Sequence, residues 1–189
     1  ETLIDATQIT DAGLHKVFHP DMVIDENDRV HIVWADHAGQ HKIMYTALRP
    51  FETAMDGSVP IEQDLTAIND FIVAQNINNR DWPAIDVDSD NNPHIVWEDS
   101  FEPLELYYQQ SQIFYKMLSI DHPARIVIEE IGNTLLTPIL GQKGHPDIAV
   151  DMNDFVQIVW DDTRGGQVEM VVPIDTSGSM NAEWADMCA

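Results

Sequence analysis

Alternating acidic residues in the middle of the chain have the spacing of a calcium-binding loop. Asp86, Asp88 and Asp90 stand one residue apart and are followed by two asparagines. Ca²⁺ prefers carboxylate and carbonyl oxygens, and Glu98 and Asp99 are the nearest downstream candidates to complete such a site. Aspartate and asparagine are also the ordinary residues of tight turns, because their side chains hydrogen-bond the local backbone. The pattern therefore predicts either a calcium site or a hairpin turn.

A second group of oxygen-bearing side chains follows the apolar run 168–174. The segment Asp175-Thr-Ser-Gly-Ser-Met180 resembles the Asp-x-Ser-x-Ser start of a von Willebrand factor A domain. The resemblance implies that Asp175, Ser177 and Ser179 are ligands of Mg²⁺ or Mn²⁺, with a carboxylate of a partner protein completing the coordination. The distal Thr and Asp that complete such a site do not fit into the residues that follow. The alternative is a polar turn after a strand.

A third group of acidic residues, in the middle repeat, could supply a pair of carboxylates for hydrolysis. Glu98, Asp99, Glu102 and Glu105 lie in an irregular stretch, and carboxylates 5–10 Å apart cleave glycosidic bonds. Because the chain has 33 acids in 189 residues, some pair is always close, so the pattern carries little weight. The sequence contains no nucleophile elbow, P-loop, dinucleotide fingerprint, HExxH or CxxC motif. We therefore expect a protein that binds, with a carbohydrate-active enzyme (lyase or glycoside hydrolase) and a structural or assembly role as the alternatives.

These residues belong to an internal repeat. Three segments, 19–34, 82–97 and 145–160, align without a gap at a constant offset of 63 residues. Each begins with an X-Pro pair, continues through an Asp/Asn-rich tetrad and ends in Ile-Val-Trp, with an aspartate two residues further on. An apolar run, a turn and a second apolar run predict a hairpin in every repeat.

Further apolar runs supply two more strands in each repeat. The predicted third strands are 42–48, 104–110 and 167–173, and the predicted fourth strands are 58–65 and 124–130, with 2–9 of the same type. Four-stranded repeats containing a tryptophan signature predict an all-β protein of β-propeller blades. We expect the propeller repeats to cover 1–174, with blades starting near residues 19, 82 and 145. Residues 175–189 would then begin a von Willebrand factor A-like domain or form a tail.

Three blades are fewer than the four to eight that close a typical propeller. The chain is therefore expected either to be a fragment of a larger propeller or to form a homodimer that closes a six-bladed ring. In the dimer, the strand at 2–9 would complete the partner's last blade. An open wedge would leave apolar faces and strand edges in water.

The repeat pattern resembles that of secreted bacterial and archaeal propellers of the sialidase-like superfamily. It lacks the Ser-x-Asp-x-Gly-x-Thr-Trp box of sialidases, and its turns read Asp-Glu-Asn-Asp, Asp-Ser-Asp-Asn and Asp-Met-Asn-Asp. It also lacks a recognisable cluster of three arginines. The resemblance implies the architecture and leaves the activity open.

Histidines recur at two repeat positions, His19 and His145 at one and His31 and His94 at the other. Trp82 and Gln157 replace them in the remaining repeats and cannot do imidazole chemistry. We therefore expect structural histidines. Tryptophans 34, 97 and 160 and aspartates 36, 99 and 162 are predicted to pack the blades and to cap backbone donors.

Composition restricts the partners. Nine Lys and Arg against 33 Asp and Glu give a net charge of −24, which repels nucleic acids and anionic lipids. The apolar runs are too short for membrane insertion, and the single cysteine cannot form an intramolecular disulfide. The sequence thus predicts an extracellular or cell-surface binding protein with a protein or glycan ligand, and with Mg²⁺ or Ca²⁺ as its possible metals.

Overall fold

The described part of the protein consists of β-strands and the turns between them. The computed structural model describes residues 16–37, 41–48, 68–76, 79–101, 110–121, 126–137, 142–162 and 167–174. Its strands are β1 (Val17–Ile24), β2 (Val30–Asp36), β3 (His41–Leu48), β4 (Ile68–Asn76), β5 (Asn79–Val87), β6 (Pro93–Phe101), β7 (Gln110–Asp121), β8 (Ile126–Leu135), β9 (Lys143–Val150), β10 (Val156–Asp162) and β11 (Gln167–Ile174). No helix that could span a membrane occurs among these residues.

The strands form three antiparallel sheets in chain order. Blade 1 is β1-β2-β3-β4, blade 2 is β5-β6-β7-β8, and blade 3 is β9-β10-β11 within the described residues. The prediction of all-β propeller blades is confirmed. The described third strand of blade 2 is Gln110–Asp121, of which the prediction included only Gln110, and the described fourth strand of blade 1 is Ile68–Asn76. The predicted strands at 2–9 and 58–65 lie outside the described residues.

In each blade, one aspartate side chain stabilises the hairpin turn between the first and second strands. Asp25 Oδ1 accepts hydrogen bonds from the backbone N–H groups of Asn27 and Arg29, both at 2.8 Å. Asp88 and Asp151 make the same pair of bonds two and four residues downstream. The fourth turn residue is left-handed in all three, with φ 58°, 64° and 63° at Asp28, Asn91 and Asp154, a conformation that Asp and Asn tolerate. The predicted hairpin turns are confirmed.

The core lies between successive blades. One apolar cluster joins blades 1 and 2, and its largest buried side chains are Tyr45 and Trp97. A second cluster joins blades 2 and 3 around Tyr115, Ile158 and Trp160. Each fully buried side chain of this size contributes about 1.5–3 kcal/mol, so neighbouring blades are held together mainly by this packing.

Hydrogen bonds between the hairpin turns repeat from one blade to the next. The backbone N–H of Glu26 in blade 1 donates to Asn91 Oδ1 in blade 2, at 3.2 Å. One repeat later, the N–H of Ser89 donates to Asp154 Oδ1 at 2.8 Å, and the Ser89 hydroxyl donates to Oδ2 at 2.7 Å. The left-handed turn residue therefore also fixes the spacing of adjacent blades.

A buried polar network occurs in blades 1 and 2. His94 lies between Asp88 Oδ2, 3.2 Å from its Nε2, and the Tyr115 hydroxyl, 2.7 Å from its Nδ1. Burial raises the pKa of Asp88, but the hydrogen bonds from His94 and Asn92 outweigh it, so this pKa lies below its ordinary value. Asp25, His31 and Tyr45 form the same network in blade 1. The structural role predicted for these two histidines is confirmed.

Candidate functional site

The first strand of each blade has a bulge near its start, and the residue at this bulge carries an aromatic side chain. His19, Trp82 and His145 precede a proline in equivalent positions and have φ values of 48°, 49° and 47°. The strand register shifts at each of these sites. A positive φ at a bulky residue is an outlier that costs about 1–3 kcal/mol. Bulges of this kind re-aim a side chain, and here all three rings are brought together.

The three rings form a continuous aromatic strip. The ring of His19 stacks on that of Trp82 with centroids 3.6 Å apart and planes 20° apart. On the other side, His145 meets Trp82 edge to face at 4.4 Å and 77°. The strip crosses the three blades at the ends where their inner strands begin.

A cleft of about 290 Å³ opens beside this strip, between blades 2 and 3. This volume is at the small end of the range for ligand sites. The residues that line it are Asp81, Trp82, Glu98, Ser100, Ser111, Gln142, Lys143, Gly144, His145 and Asp161. Most of these side chains are polar, and three of them are carboxylates.

Gly144 lets two of these carboxylates approach one another. A Cβ at this position would lie 2.9 Å from Glu98 Oε2 and 3.3 Å from Asp161 Oδ1. The two oxygens are therefore at most about 6 Å apart. Glu98 and Asp161 occupy the same repeat position on adjacent blades, so the packing of one blade on the next creates the pair.

Glu98 differs from an ordinary glutamate in its ionisation. Burial raises the pKa of its carboxyl, and the nearby charges of Asp81 and Asp161 add to this. His145 and a hydrogen bond with Ser111 act in the opposite direction, and the resulting pKa is about 7. At this pKa, the protonated and ionised forms of the Glu98 carboxyl have similar populations near neutral pH, and the protonated form can donate a proton.

Histidines hold the other two cleft carboxylates. His145 Nδ1 lies 2.9 Å from Asp161 Oδ2, and His19 Nδ1 lies 2.5 Å from Asp81 Oδ1. His37 also approaches Asp81, at 3.8 Å, and donates to the backbone carbonyl of Arg80. The sequence predicts scaffold roles for His19 and His145, whereas the structure places His145 in the lining of the cleft and His19 next to it, against Asp81 and Trp82.

Buried ion pairs lie next to the cleft carboxylates in blades 2 and 3. Asp99 pairs with Arg80 at 2.9 Å, and Asp162 pairs with Lys143 at 3.3 Å. Backbone capping was predicted for these aspartates, and the basic residue at the start of each blade's first strand was missed as their partner. A buried ion pair fixes the positions of its neighbours, although its net contribution to stability is small.

The sequence-predicted site residues have different outcomes. Of the four acids considered for hydrolysis, Glu98 lines the cleft, Asp99 is buried in its ion pair, and Glu102 and Glu105 lie outside the described residues. Asp175, Ser177 and Ser179 also lie outside them, so the magnesium and adhesion readings stay predictions.

Two of the three predicted calcium ligands in the acidic turn of blade 2 accept hydrogen bonds from the protein. Asp86 accepts from the N–H groups of Val87 and Val150, and Asp88 accepts from Asp90, Asn92 and His94. In the described parts of the chain, no three His, Cys, Asp or Glu residues are grouped so that they could hold a metal ion. The calcium site at Asp86, Asp88 and Asp90 stays a prediction.

Departure from the repeat is the signal that could have identified the cleft. The positions of Glu98 and Gly144 read Ala, Glu, Asp and Phe, Asp, Gly along the three repeats, whereas the tryptophan and the aspartate that flank the first of these positions are the same in all three. In a scaffold that repeats its packing, positions that change their chemistry are candidates for function. The positive φ before each proline has no comparable sequence signal.

Comparisons with known proteins support the fold. No protein-family model matches the chain, and no curated protein matches it significantly. One solved structure that resembles it is the endo-arabinase from Bacteroides thetaiotaomicron VPI-5482, with a TM-score of 0.53 and 13% sequence identity. The match covers 94% of this chain and 62% of the endo-arabinase, so the chain spans about three fifths of that protein's length. At this identity the likeness concerns the fold.

Proposed function

We propose that the chain carries a carbohydrate-cleaving site in which Glu98 and Asp161 act as paired carboxylates. The main support is the half-buried carboxyl of Glu98, whose pKa is raised to about 7, within about 6 Å of an Asp161 carboxylate held by His145. Glycoside hydrolysis needs one carboxyl in the acid form and one as carboxylate, and sites achieve this by giving the two different environments. The fold likeness to an endo-arabinase agrees with a carbohydrate ligand.

The short separation suits a double-displacement reaction. Glu98 donates its proton to the glycosidic oxygen as the bond to the anomeric carbon breaks, while an Asp161 oxygen attacks that carbon and forms an ester. Water then cleaves the ester, and Glu98, now a carboxylate, accepts a proton from the water. Carboxylates about 5–5.5 Å apart retain the anomeric configuration, and wider pairs invert it.

Kinetics with matched variants test the proposal. Reducing-sugar release from linear arabinan, xylan and mixed-linkage glucan is measured for the wild type, Glu98→Gln, Asp161→Asn and the control Glu26→Gln. Glu26 is an exposed acid of the blade 1 turn, so its variant controls for the loss of one negative charge. Loss of general-acid or nucleophilic catalysis is expected to lower the rate by about 10²-fold or more.

Two further readouts tie the rate to this pair. The wild-type rate is expected to fall as the pH rises through about 7, because Glu98 then loses the proton it must donate. Gly144→Ala is expected to slow the reaction, because its Cβ displaces both carboxylates. Equal rates in Glu98→Gln and Glu26→Gln, or no cleavage of any of the three glycans, would contradict the proposal.

A further inference from the structure

The aromatic strip is accessible to a ligand. Trp82 is 38% exposed, and the side chains of His19 and His145 are 33% and 57% exposed. Trp82 and His145 also line the cleft that contains the acid pair. A molecule lying across the strip would therefore extend directly into the cleft.

The strained backbone favours a binding role for these rings. The positive φ values at His19, Trp82 and His145, on neighbouring blades, cost conformational free energy. They place the three rings at the opening of the cleft rather than in the core. Ligand sites combine aromatic walls with a few polar groups. Sugars match this combination, because their C–H groups pack against rings while their hydroxyl groups bond to carboxylates and amides.

The charges around the cleft indicate which sugars fit. Asp81, Glu98 and Asp161 supply acidic groups, and the lysine of the lining, Lys143, is buried beside Asp162. The lining residues that the structure describes include no arginine. Proteins that recognise the carboxylate of a uronate or sialate normally bind it with two hydrogen bonds from an arginine guanidinium group. An acidic glycan would face repulsion here, because the basic residues of the lining, Lys143 and His145, are already paired with Asp162 and Asp161.

We infer that the strip of His19, Trp82 and His145 is the docking surface for a neutral glycan, which it leads into the cleft, and that acidic glycans are excluded. This inference rests on the proposed function, since it names the substrate class and the positioning surface of the same site. The rings do not take part in bond cleavage.

The repeat supplies a well-matched variant for the test. Trp82→His places at this position the residue that the two equivalent positions already carry at nearly the same φ, so the bulge is preserved while indole surface is removed. Phe155→Ala, at an exposed aromatic residue next to the blade 3 turn, is the control. Circular dichroism and urea unfolding verify that both variants fold.

Affinity electrophoresis provides the binding measurement. The wild type, Trp82→His and Phe155→Ala are run through gels containing arabinan, xylan, mixed-linkage glucan, polygalacturonate or alginate. We expect retardation by at least one neutral glycan and by neither polyuronate. Trp82→His should weaken that binding about tenfold, whereas Phe155→Ala should leave it unchanged. In turnover, Trp82→His should raise KM more than it lowers kcat.

The outcomes separate the inference from the proposed function. Undiminished binding by Trp82→His, or equal retardation by the polyuronates, would overturn the inference, and Glu98-dependent cleavage would still support the proposed function. Binding that depends on Trp82 without Glu98-dependent cleavage would support the docking strip and contradict the enzyme. If no glycan is bound or cleaved, both are wrong.

Discussion

Replacing Glu98 by glutamine is expected to change how stability depends on pH. The substitution keeps the shape of the side chain and removes its ionisation. In the wild type, the folded-state pKa of about 7 lies above the ordinary carboxyl value of 4.5. The native protein therefore holds a proton that the unfolded chain has lost between these pH values, so Glu98 makes the free energy of unfolding fall as the pH rises.

The magnitude follows from the size of that interval. Each pH unit corresponds to 1.36 kcal/mol, so the interval from 4.5 to about 7 amounts to about 3 kcal/mol as an upper bound. Below pH 4.5, the contribution of Glu98 to the free energy of unfolding does not change with pH. Above pH 7, its ionisation has lowered that free energy by the full amount. Relative to the wild type, Glu98→Gln should therefore gain stability as the pH rises through this window and gain no more beyond it.

Urea unfolding followed by tryptophan fluorescence measures the effect. The midpoint and slope are determined at half-unit intervals from pH 4 to pH 8.5 for the wild type, Glu98→Gln and Glu26→Gln. The difference in unfolding free energy between Glu98→Gln and Glu26→Gln separates the effect of burying the carboxyl from the effect of removing one negative charge. A difference that is independent of pH would refute the reasoning, because Glu98 would then ionise alike in the folded and unfolded chain.

Three further predictions can be checked on the same protein. His94→Leu should lower the free energy of unfolding by about 1–3 kcal/mol in urea, because Leu has no hydrogen-bonding group and leaves the buried Tyr115 hydroxyl without its partner. If the predicted calcium site exists, Ca²⁺ should raise the unfolding midpoint relative to chelator, and Asp90→Asn should reduce that gain; identical midpoints would rule the site out. The predicted closed dimer should show twice the chain mass of 21.4 kDa in light scattering, and a mass of one chain would contradict it.

The repeating part of the fold could be predicted from the sequence, because the determinants are local. The turn aspartates Asp25, Asp88 and Asp151 cap backbone groups within four residues, and the apolar runs beside them are short enough to be strands. The third strand of blade 2 was misplaced because the 63-residue offset suggested an equivalent strand at 104–110. The chain places the outer strands of blade 2 differently from those of blade 1, and the offset does not extend to them.

Only part of the candidate site could be found in the same way. Glu98 was named, but among 33 acids nothing distinguished its partner. Asp161 becomes a partner only through the packing of blade 3 on blade 2, and through the missing side chain at Gly144. The aromatic strip depends on the left-handed backbone at Trp82 and its equivalents, which alternation of apolar and polar residues does not reveal. Contacts between blades were thus the information that the sequence pattern lacked.

The blade junctions repeat one backbone feature, the positive φ of 49° at Trp82 and 47° at His145, so the acid pair could be rebuilt by design at another junction. At the junction of blades 1 and 2, Glu98 already occupies the place that Asp161 holds one junction later, while Ala35 and Asp81 stand where Glu98 and Gly144 would be. Ala35→Glu with Asp81→Gly would therefore rebuild the carboxylate pair in a second location. Glu98 would belong to both pairs, so a comparison with the wild type would show what a second carboxylate neighbour changes at this residue.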